Sequence, residues 1–95
     1  MERVGVMKKY QILTTPKFDK AIKKLDLITC ATIKKWIDNN LVNTTNPCIH
    51  GKVLRGDFAG KWRYRVGKYR LIVKIQDNKL IILMLTVGIR NEVYK

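Results

Sequence analysis

The stretch KWRYRVGKYRLIVKIQ, residues 61–76, decides the fold because the character of its side chains alternates along it. An alternation with a period of two predicts β-strand rather than helix. Gly67 and Lys68 interrupt it and predict a two-residue hairpin loop, since glycine supplies the positive φ that such a turn needs. The predicted faces are Trp62, Tyr64, Val66, Tyr69, Leu71, Val73 and Ile75 on one side, and Arg63, Arg65, Arg70, Ile72, Lys74 and Gln76 on the other.

The second of these faces, which we call the arginine face, carries Arg63, Arg65 and Arg70. The predicted register places Val66 opposite Tyr69, and it therefore places Arg65 opposite Arg70. Like charges directly across a strand pair are destabilising. An anionic ligand is the simplest reason for three arginines at this place. The alternative is a solvated outer sheet face, where arginines are common.

Length and charge restrict the class of protein. Ninety-five residues make one domain, residues 1–95, and the apolar fraction of 46% indicates a globular fold. The formal net charge of +13 attracts polyanions over long distances. Nucleic acid is therefore the leading predicted partner. An acidic protein and a membrane surface are alternatives, but no predicted helix combines a basic face with a broad apolar face, which argues against the membrane.

The cysteines and the histidine follow no metal-ligand pattern. Cys30 and Cys48 form no Cys-x-x-Cys pair, and His50 has no suitably spaced partner. We expect both cysteines to be reduced thiols in a cytoplasmic protein that needs no metal or cofactor.

No segment of the sequence predicts export or membrane insertion. Residues 1–10 lack an apolar region of signal-peptide length. The longest apolar run, residues 80–85, is far too short to span a bilayer. We expect residues 1–7 to be a short extension ahead of a start at Met7.

The patterns along the chain predict an α+β domain with the element order β-α-α-β-β-β. Thr15 and Pro16 are suited to the N-cap and the first position of a helix. Two helices joined by a short turn form an antiparallel hairpin, which we expect to pack on one face of an antiparallel sheet. The predicted elements are a strand at 10–14, helices at 16–25 and 29–40, a loop-rich segment at 42–60, the hairpin of 61–76 and a last strand at 79–87.

For several residues on these elements we expect a structural role rather than a functional one. Trp36 is expected in the core rather than as a platform for base stacking, and His50 is expected to be a loop residue. A solvated helix face is preferred over RNA contact for four lysines, namely Lys17, Lys20, Lys23 and Lys24.

The last predicted strand is apolar on both faces. Pairing across a tight turn at Asp77 and Asn78 places Leu80, Ile82 and Met84 on the face of Trp62, and Ile81, Leu83 and Leu85 on the arginine face. A strand of this kind is usually central and covered on both sides. Because the helices cover only one face, we expect sheet curvature, a loop or a bound partner to shield the other.

Residues 51–95 carry motifs that occur together in one family. They are LRG at 54–56, WRYRVGKYRL at 62–71 and VG-x-R-x-x-x-Y at 87–94. With these motifs the chain resembles the RelE/ParE superfamily of bacterial toxins, and more closely its RelE-like messenger-RNA endonucleases. The N-terminal strand and the lysine-rich helices also match in pattern.

The resemblance implies a ribosome-dependent ribonuclease that cuts messenger RNA in the ribosomal A site and is held inactive by an antitoxin protein. It implies catalytic roles for Arg63, Arg65, Arg70, Arg90 and Tyr94. It places an RNA contact at Arg55 of the LRG motif, and we expect further RNA binding by the nearby basic residues Lys52, Lys61, Lys68 and Lys74.

The chemistry of RNA cleavage agrees with this placement. When a 2′-hydroxyl attacks the adjacent phosphate, the transition state gains negative charge that fixed guanidinium groups stabilise. Tyr94 could act on the 2′-hydroxyl or stack on a base; its ordinary pKa is about 10, and neighbouring positive charge would lower it. Acidic residues are few and scattered, so we expect no two-metal site.

The sequence departs from the family pattern in ways that bear on proton transfer. Some members carry lysine at the positions of Arg63 and Arg65, and arginine cannot act as a general base. Many close relatives have histidine where this chain has Ile89, and a basic residue where it has Asn91. Tyr94 is left as the best-placed base.

Two other functions stay open. One is a ParE-like toxin that inhibits DNA gyrase through protein contacts. The other is a non-catalytic RNA-binding module, or a degenerate toxin that keeps only antitoxin binding. For the antitoxin we expect an acidic, amphipathic segment that folds on binding and either buries part of the arginine face or displaces residues 90–94.

Overall fold

The computed structural model describes residues 9–89 and forms an α+β domain with both helices on one face of a sheet. Within these residues the sheet has five strands in the order β1-β5-β4-β3-β2. The elements are β1 (Gln11–Thr14), α1 (Pro16–Lys23), α2 (Leu27–Asn40), β2 (Gly51–Val53), β3 (Trp62–Val66), β4 (Tyr69–Gln76) and β5 (Ile81–Ile89), with a 3-10 turn at Gly56–Phe58. The α+β class and the helical hairpin over the sheet are confirmed.

Two strand pairings differ from the antiparallel four-strand prediction. Strand β1 pairs with β5 in parallel, because the two helices carry the chain back across the sheet. Strand β2 lies in the segment 42–60 that was predicted to be loop, and it pairs with β3 at the sheet edge. Three residues are too few to show a periodicity. Gly51 is needed here, because a Cβ at this position would lie 2.9 Å from the Tyr64 ring.

Side-chain caps fix the start of both helices. The Thr15 hydroxyl accepts a hydrogen bond from the Phe18 amide at 3.2 Å, as the predicted N-cap should. Asp26 caps α2 by accepting from the Thr29 amide at 3.1 Å, which also lowers the pKa of Asp26. The second helix therefore begins at Leu27, two residues before its predicted start, because the turn residue Asp26 serves as its cap.

The core lies between the helices and the sheet face opposite the arginines. Phe18 of α1 and Ile33 of α2 are buried against strand residues such as Tyr64 and Leu71. Trp36 packs partly buried against Tyr64, with ring centroids 5.4 Å apart, which confirms its predicted place. Burial of Tyr64 raises the pKa of its phenol, whose hydroxyl donates to the Pro47 carbonyl.

A β-bulge in β5 breaks the simple alternation of the last strand. The register pairs Val73 with Met84 but Ile72 with Thr86, so Leu85 is an extra residue. Leu85 was predicted to lie on the arginine face, and the structure gives it no register partner on β4. Beyond the bulge, Thr86 and Gly88 take positions opposite Ile72 and Arg70 of that face.

The turn before β5 is also longer than predicted. It covers residues 77–80, and Leu80 has a left-handed φ of 56° inside it, so Leu80 is not on the strand face of Trp62. Ile82 and Met84 are buried on the core face as predicted. Ile81 and Leu83, on the arginine side, are half-buried.

Candidate functional site

The β3–β4 hairpin presents the arginines as the sequence predicted. Gly67 has a left-handed φ of 60° in its turn, and Val66 pairs with Tyr69. Arg65 is consequently the direct partner of Arg70 across the two strands. The periodicity and the turn chemistry of one local segment are enough to fix this register.

The three arginines differ in exposure. Arg65 is exposed, Arg63 is half-buried and Arg70 is only 9% exposed. Arg70 therefore presents its charge from within the sheet face, where packing restricts its side chain. A restricted guanidinium is better suited to bind a defined anion than a freely moving one.

Arg63 lies in a row of residues that crosses the sheet. Its register partners are Lys52 of β2 and Ile72 of β4, and Thr86 follows on β5. The Nε atom of Arg63 is buried and has no hydrogen-bond partner within residues 9–89. A buried donor without a partner is costly, and a bound anion would supply the missing acceptor.

Negative charge is absent from the strands around these arginines. No aspartate or glutamate occurs in the sequences of β2, β3, β4 or β5. The carboxylates of the described chain lie on helices, caps and turns, at Asp19, Asp26, Asp38, Asp57 and Asp77. The positive potential of the arginine face is therefore not neutralised by strand carboxylates.

The predicted RNA-binding lysines fall into two groups. Lys52 and Lys74 are exposed strand residues on the arginine face, where Lys52 pairs with Arg63. Lys61 immediately precedes β3, and its Nζ lies 5.7 Å from the centre of the Phe58 ring. Lys68 occupies the hairpin turn, with its Nζ 5.7 Å from the centre of the Tyr69 ring.

Arg55 lies at the opposite end of the hairpin from its turn. It is exposed and precedes the 3-10 turn in the connection from β2 to β3. The structure thus brings Lys52 and Lys74 onto one face with the arginines, whereas Arg55 and Lys68 extend the basic surface at its two ends.

The remaining two predicted catalytic residues, Arg90 and Tyr94, lie outside the described residues, as do residues 1–7. Strand β5, which leads to them, lies within the described residues. Its residue Gly88 is the partner of Arg70, and Ile89 is the partner of Tyr69. Ile89, where the family resemblance led us to expect a histidine, therefore belongs to the face of Tyr69 and not to the arginine face.

A cleft on the helix side of the sheet was not predicted from the sequence. It has a volume of about 440 Å³ and lies between α1 and the end of β5. Lys17 and Lys20 of α1 line it together with Lys24, the C-cap of that helix, whereas Lys23 is exposed outside the cleft. The spacing of these lysines along one side of α1 was the only signal in the sequence, and such a pattern is equally typical of a solvated face.

Across residues 9–89, His, Cys, Asp and Glu form no group of three or more that could hold a metal ion. His50 contacts Trp36 edge to face, with ring centroids 6.0 Å apart, on the helix side of the sheet. No helix in the described part of the chain is long and apolar enough to cross a membrane.

Comparisons with known proteins identify what this arrangement is similar to. The family model described as ParE toxin of type II toxin-antitoxin system, parDE, matches residues 12–94. A chain of the RelBE2 toxin-antitoxin complex from Mycobacterium tuberculosis is 28% identical with a TM-score of 0.78, covering 86% of this chain and 99% of that one. The isolated RelE toxin of E. coli is 26% identical with a TM-score of 0.68, covering 90% of each chain.

A more distant match shows the fold alone. It is a chain of the RelE-RelB complex from Pyrococcus horikoshii, 20% identical with a TM-score of 0.66, covering 88% of this chain and 98% of that chain. None of the curated proteins compared with this chain matches it.

Proposed function

The chain belongs to the ParE toxin family of type II toxin-antitoxin systems, and we propose that within this family it is a ribosome-dependent endoribonuclease that cleaves messenger RNA in the A site. The observation that carries this proposal is the arginine face. Arg65 and Arg70 are direct cross-strand partners, Arg63 lies on the same face, and the strands around them contain no carboxylate. A phosphodiester is the ligand that this arrangement suits best.

The proposed reaction needs no group beyond the RNA and the protein. The 2′-hydroxyl oxygen attacks the adjacent phosphorus, the bond to the 5′-oxygen breaks, and a cyclic 2′,3′-phosphate and a 5′-hydroxyl form. One proton leaves the 2′-hydroxyl and one reaches the departing 5′-oxygen. The negative charge that develops on the phosphoryl oxygens is stabilised by Arg63, Arg65 and Arg70.

Arg90 and Tyr94 complete the proposed catalytic set. Arg90 follows the end of β5, and Gly88, two residues earlier, is the partner of Arg70. The VG-x-R-x-x-x-Y motif at 87–94, through which the chain resembles the RelE-like endonucleases, supports catalytic roles for both residues. Tyr94 is proposed as the base for the 2′-hydroxyl, because arginine is not deprotonated near neutral pH.

The basic residues around the arginines are proposed to hold the RNA. Lys52 and Lys74 accompany the arginines on the sheet face, and Arg55, Lys61 and Lys68 extend the positive surface. Phosphate contacts of this kind position the strand without reading its bases. The ribosome would then supply the arrangement of the messenger RNA in the A site.

The proposed partners follow from the family and the charge. The RelBE2 relative comes from a toxin-antitoxin complex, which supports a cognate antitoxin for this chain. We propose that this antitoxin is acidic, since a net charge of +13 favours a negative partner. The working unit would be a single domain of residues 1–95 in the cytoplasm, where the ribosome is.

Inhibition of DNA gyrase is the second candidate function, because the matching family model is that of ParE toxins. It would act through protein contacts and would not need the arginine face. Expression of the chain would then cause DNA damage that disappears with a resistant gyrase, and Arg70→Ala would leave toxicity unchanged.

Primer extension on a messenger RNA translated in a purified system tests the proposal directly. We expect new 5′ ends only when ribosomes, messenger RNA and this protein are together, and none on naked RNA. Tyr94→Phe should weaken the cleavage. Intact messenger RNA with a folded protein would contradict the proposal. Tight ribosome binding without cleavage would then indicate a degenerate toxin.

A further inference from the structure

The two most exposed large apolar side chains of residues 9–89 are neighbours in the sequence. Leu27 is 87% exposed and Ile28 is 78% exposed, at the first two positions of α2. A helix that packs on a sheet normally turns its large apolar side chains towards the core, as Ile33 of the same helix does. Single exposed apolar residues are ordinary on protein surfaces, whereas an adjacent pair that protrudes at a turn indicates an interaction surface.

The turn between the helices lies beside the turn of the β3–β4 hairpin. A cavity of about 200 Å³ joins the two turns, with Ile28 on one side and Gly67 and Lys68 on the other. The pKa of Asp26 is lowered mainly by its hydrogen bonds to Thr29, and the charge of Lys68 lowers it further. We call residues 23–28 together with Gly67 and Lys68 the apolar tip.

Positive charge surrounds the two protruding side chains of the apolar tip. Lys23 ends α1, Lys24 is its C-cap, and Lys68 lies in the hairpin turn; all three are exposed. Asp26 is the only carboxylate among these residues, and the Thr29 amide donates to it as the helix cap. The tip therefore combines an apolar centre with a basic border.

We propose that the apolar tip docks this chain on the surface of an anionic lipid bilayer. Leu27 and Ile28 would insert between the headgroups, and the lysines around them would contact lipid phosphates. Binding of this kind combines burial of apolar side chains with attraction between basic residues and anionic lipids. Neither helix alone has this combination, because the apolar pair lies on α2 and the lysines lie on the other two segments.

The orientation of the sheet makes this docking compatible with the proposed cleavage of RNA. Strand β4 begins beside the apolar tip and ends at the turn of residues 77–80, eight residues or about 26 Å away. The strands would thus run away from the bilayer, and the arginine face would stay in water. The inference goes beyond the proposed function and does not rest on it.

Shape and charge distinguish a bilayer from other occupants. A second copy of the chain carries the same charge of +13, so two tips would repel each other. RNA phosphates would attract the lysines but would leave Leu27 and Ile28 without an apolar partner. A protein would need a preformed pocket for two protruding side chains, whereas the headgroup region of a bilayer accepts them without one.

Sedimentation of the full chain with lipid vesicles tests the proposal. The probes are vesicles of phosphatidylcholine with about 30% phosphatidylglycerol, and vesicles of phosphatidylcholine alone, at about 0.15 M salt. We expect the chain to sediment with the anionic vesicles and to bind the neutral vesicles at least about tenfold more weakly. Amide hydrogen exchange of residues 24–29 should slow in the bound state.

Variants of the apolar pair separate insertion from attraction between charges. Leu27→Gln/Ile28→Gln leaves the charge unchanged and should weaken binding to anionic vesicles at least about tenfold, because two apolar side chains no longer leave water. Val42→Gln/Ile49→Gln changes two exposed apolar residues outside the tip and should alter binding less than about twofold. Thermal unfolding shows whether each variant is folded.

Variants of the lysines locate the basic border. Lys23→Gln/Lys24→Gln should weaken binding about 25-fold, since each basic residue near an anionic leaflet contributes about fivefold. Lys9→Gln/Lys79→Gln removes the same charge beside the turn at the far end of β4. That turn lies about 26 Å from the tip, which exceeds the screening length of about 8 Å, so we expect a change of less than about twofold.

Three outcomes would overturn the proposal. Absence of binding to the anionic vesicles by the folded chain would exclude a membrane partner. Equal weakening in the tip variants and their controls would indicate general attraction between charges. A Leu27→Gln/Ile28→Gln variant that keeps its affinity for the vesicles and loses affinity for ribosomes would make the tip a ribosome contact.

Discussion

Arg65 and Arg70 are direct register partners across the β3–β4 hairpin, on the sheet face away from the helices. A pair of like charges at this place weakens the fold, since such pairs are unfavourable across strands. A site that binds an anion explains its presence. Function and stability are then in conflict at these two residues, and variants can measure that conflict.

Arg65→Ala should raise the free energy of unfolding by about 0.2–1 kcal/mol, because it removes the cross-strand repulsion. The same change should weaken RNA binding. Chemical denaturation and RNA titration measure the two effects. Lys74→Ala is the matched control, since Lys74 is an exposed cation of the same face whose partner is Leu83. Unchanged or lower stability of Arg65→Ala would mean that the two guanidinium groups do not repel each other.

Arg70→Ala should reduce the rate of messenger-RNA cleavage on ribosomes by about 10²–10³, as expected for the loss of one well-placed donor to a developing oxyanion. Arg70→Lys should lie between this variant and the original chain, because lysine keeps the charge but loses the planar fork. Since Arg70 is buried, thermal unfolding must accompany the kinetics. An unchanged rate in a folded Arg70→Ala protein would exclude the proposed mechanism.

Ile89→His should not raise the rate of messenger-RNA cleavage, although the family resemblance implies a histidine at this position. General acid-base catalysis contributes about 10²–10⁴, but Ile89 is the partner of Tyr69, on the face opposite the arginines. We therefore expect no increase of that size in single-turnover cleavage on ribosomes. A gain of 100-fold or more would show that the side chain at position 89 reaches the reacting phosphate.

Gly51→Ala should lower the free energy of unfolding by about 1–3 kcal/mol, the usual cost of overpacking. The added Cβ would lie 2.9 Å from a Tyr64 ring atom, and Tyr64 is fully buried. Denaturant unfolding measures the loss. Lys52→Ala, at the next residue of the same edge strand, is exposed and should change stability far less.

The hydrogen bond between Tyr10 and Asp77 should make stability fall at high pH. The Tyr10 hydroxyl donates to Asp77 at 2.6 Å, and this bond raises the pKa of Tyr10 to about 12. In the unfolded chain the phenol ionises near pH 10. The contribution of the bond is therefore complete below about pH 10 and is lost as the pH rises towards 12.

Denaturation at a series of pH values checks this dependence. Asp77→Asn should reduce the loss between these pH values, because it removes the charge that keeps the phenol protonated. Asp57→Asn removes a carboxylate from a different turn and serves as the control. The same pH dependence in both variants would show that Tyr10 is not the titrating group.

The β3–β4 hairpin could be predicted from the sequence because the interactions that define it are local. The alternation of side chains and the glycine at the turn fix which residues pair, and therefore which face carries Arg63, Arg65 and Arg70. The cap at Thr15 is predictable for the same reason, since its bond to the Phe18 amide spans three residues.

Contacts between segments far apart in the sequence determine the features of the fold that could not be predicted. The short strand β2 and the parallel pairing of β1 depend on partners far along the chain, and neither leaves a periodicity that the sequence reveals. The same holds for Tyr10 and Asp77, which are 67 residues apart.

The sequence by itself determined the composition of the arginine face, because a strand exposes alternate residues whatever it packs against. Only the tertiary structure decided what borders that face. The bulge at Leu85 shifts the register and brings Gly88 opposite Arg70, and the early departure of β1 leaves residues 85–89 open beside the lysines of α1. A register shift of one residue exchanges the two faces of a strand, and it is selected by packing across the whole sheet rather than by the residues at the shift.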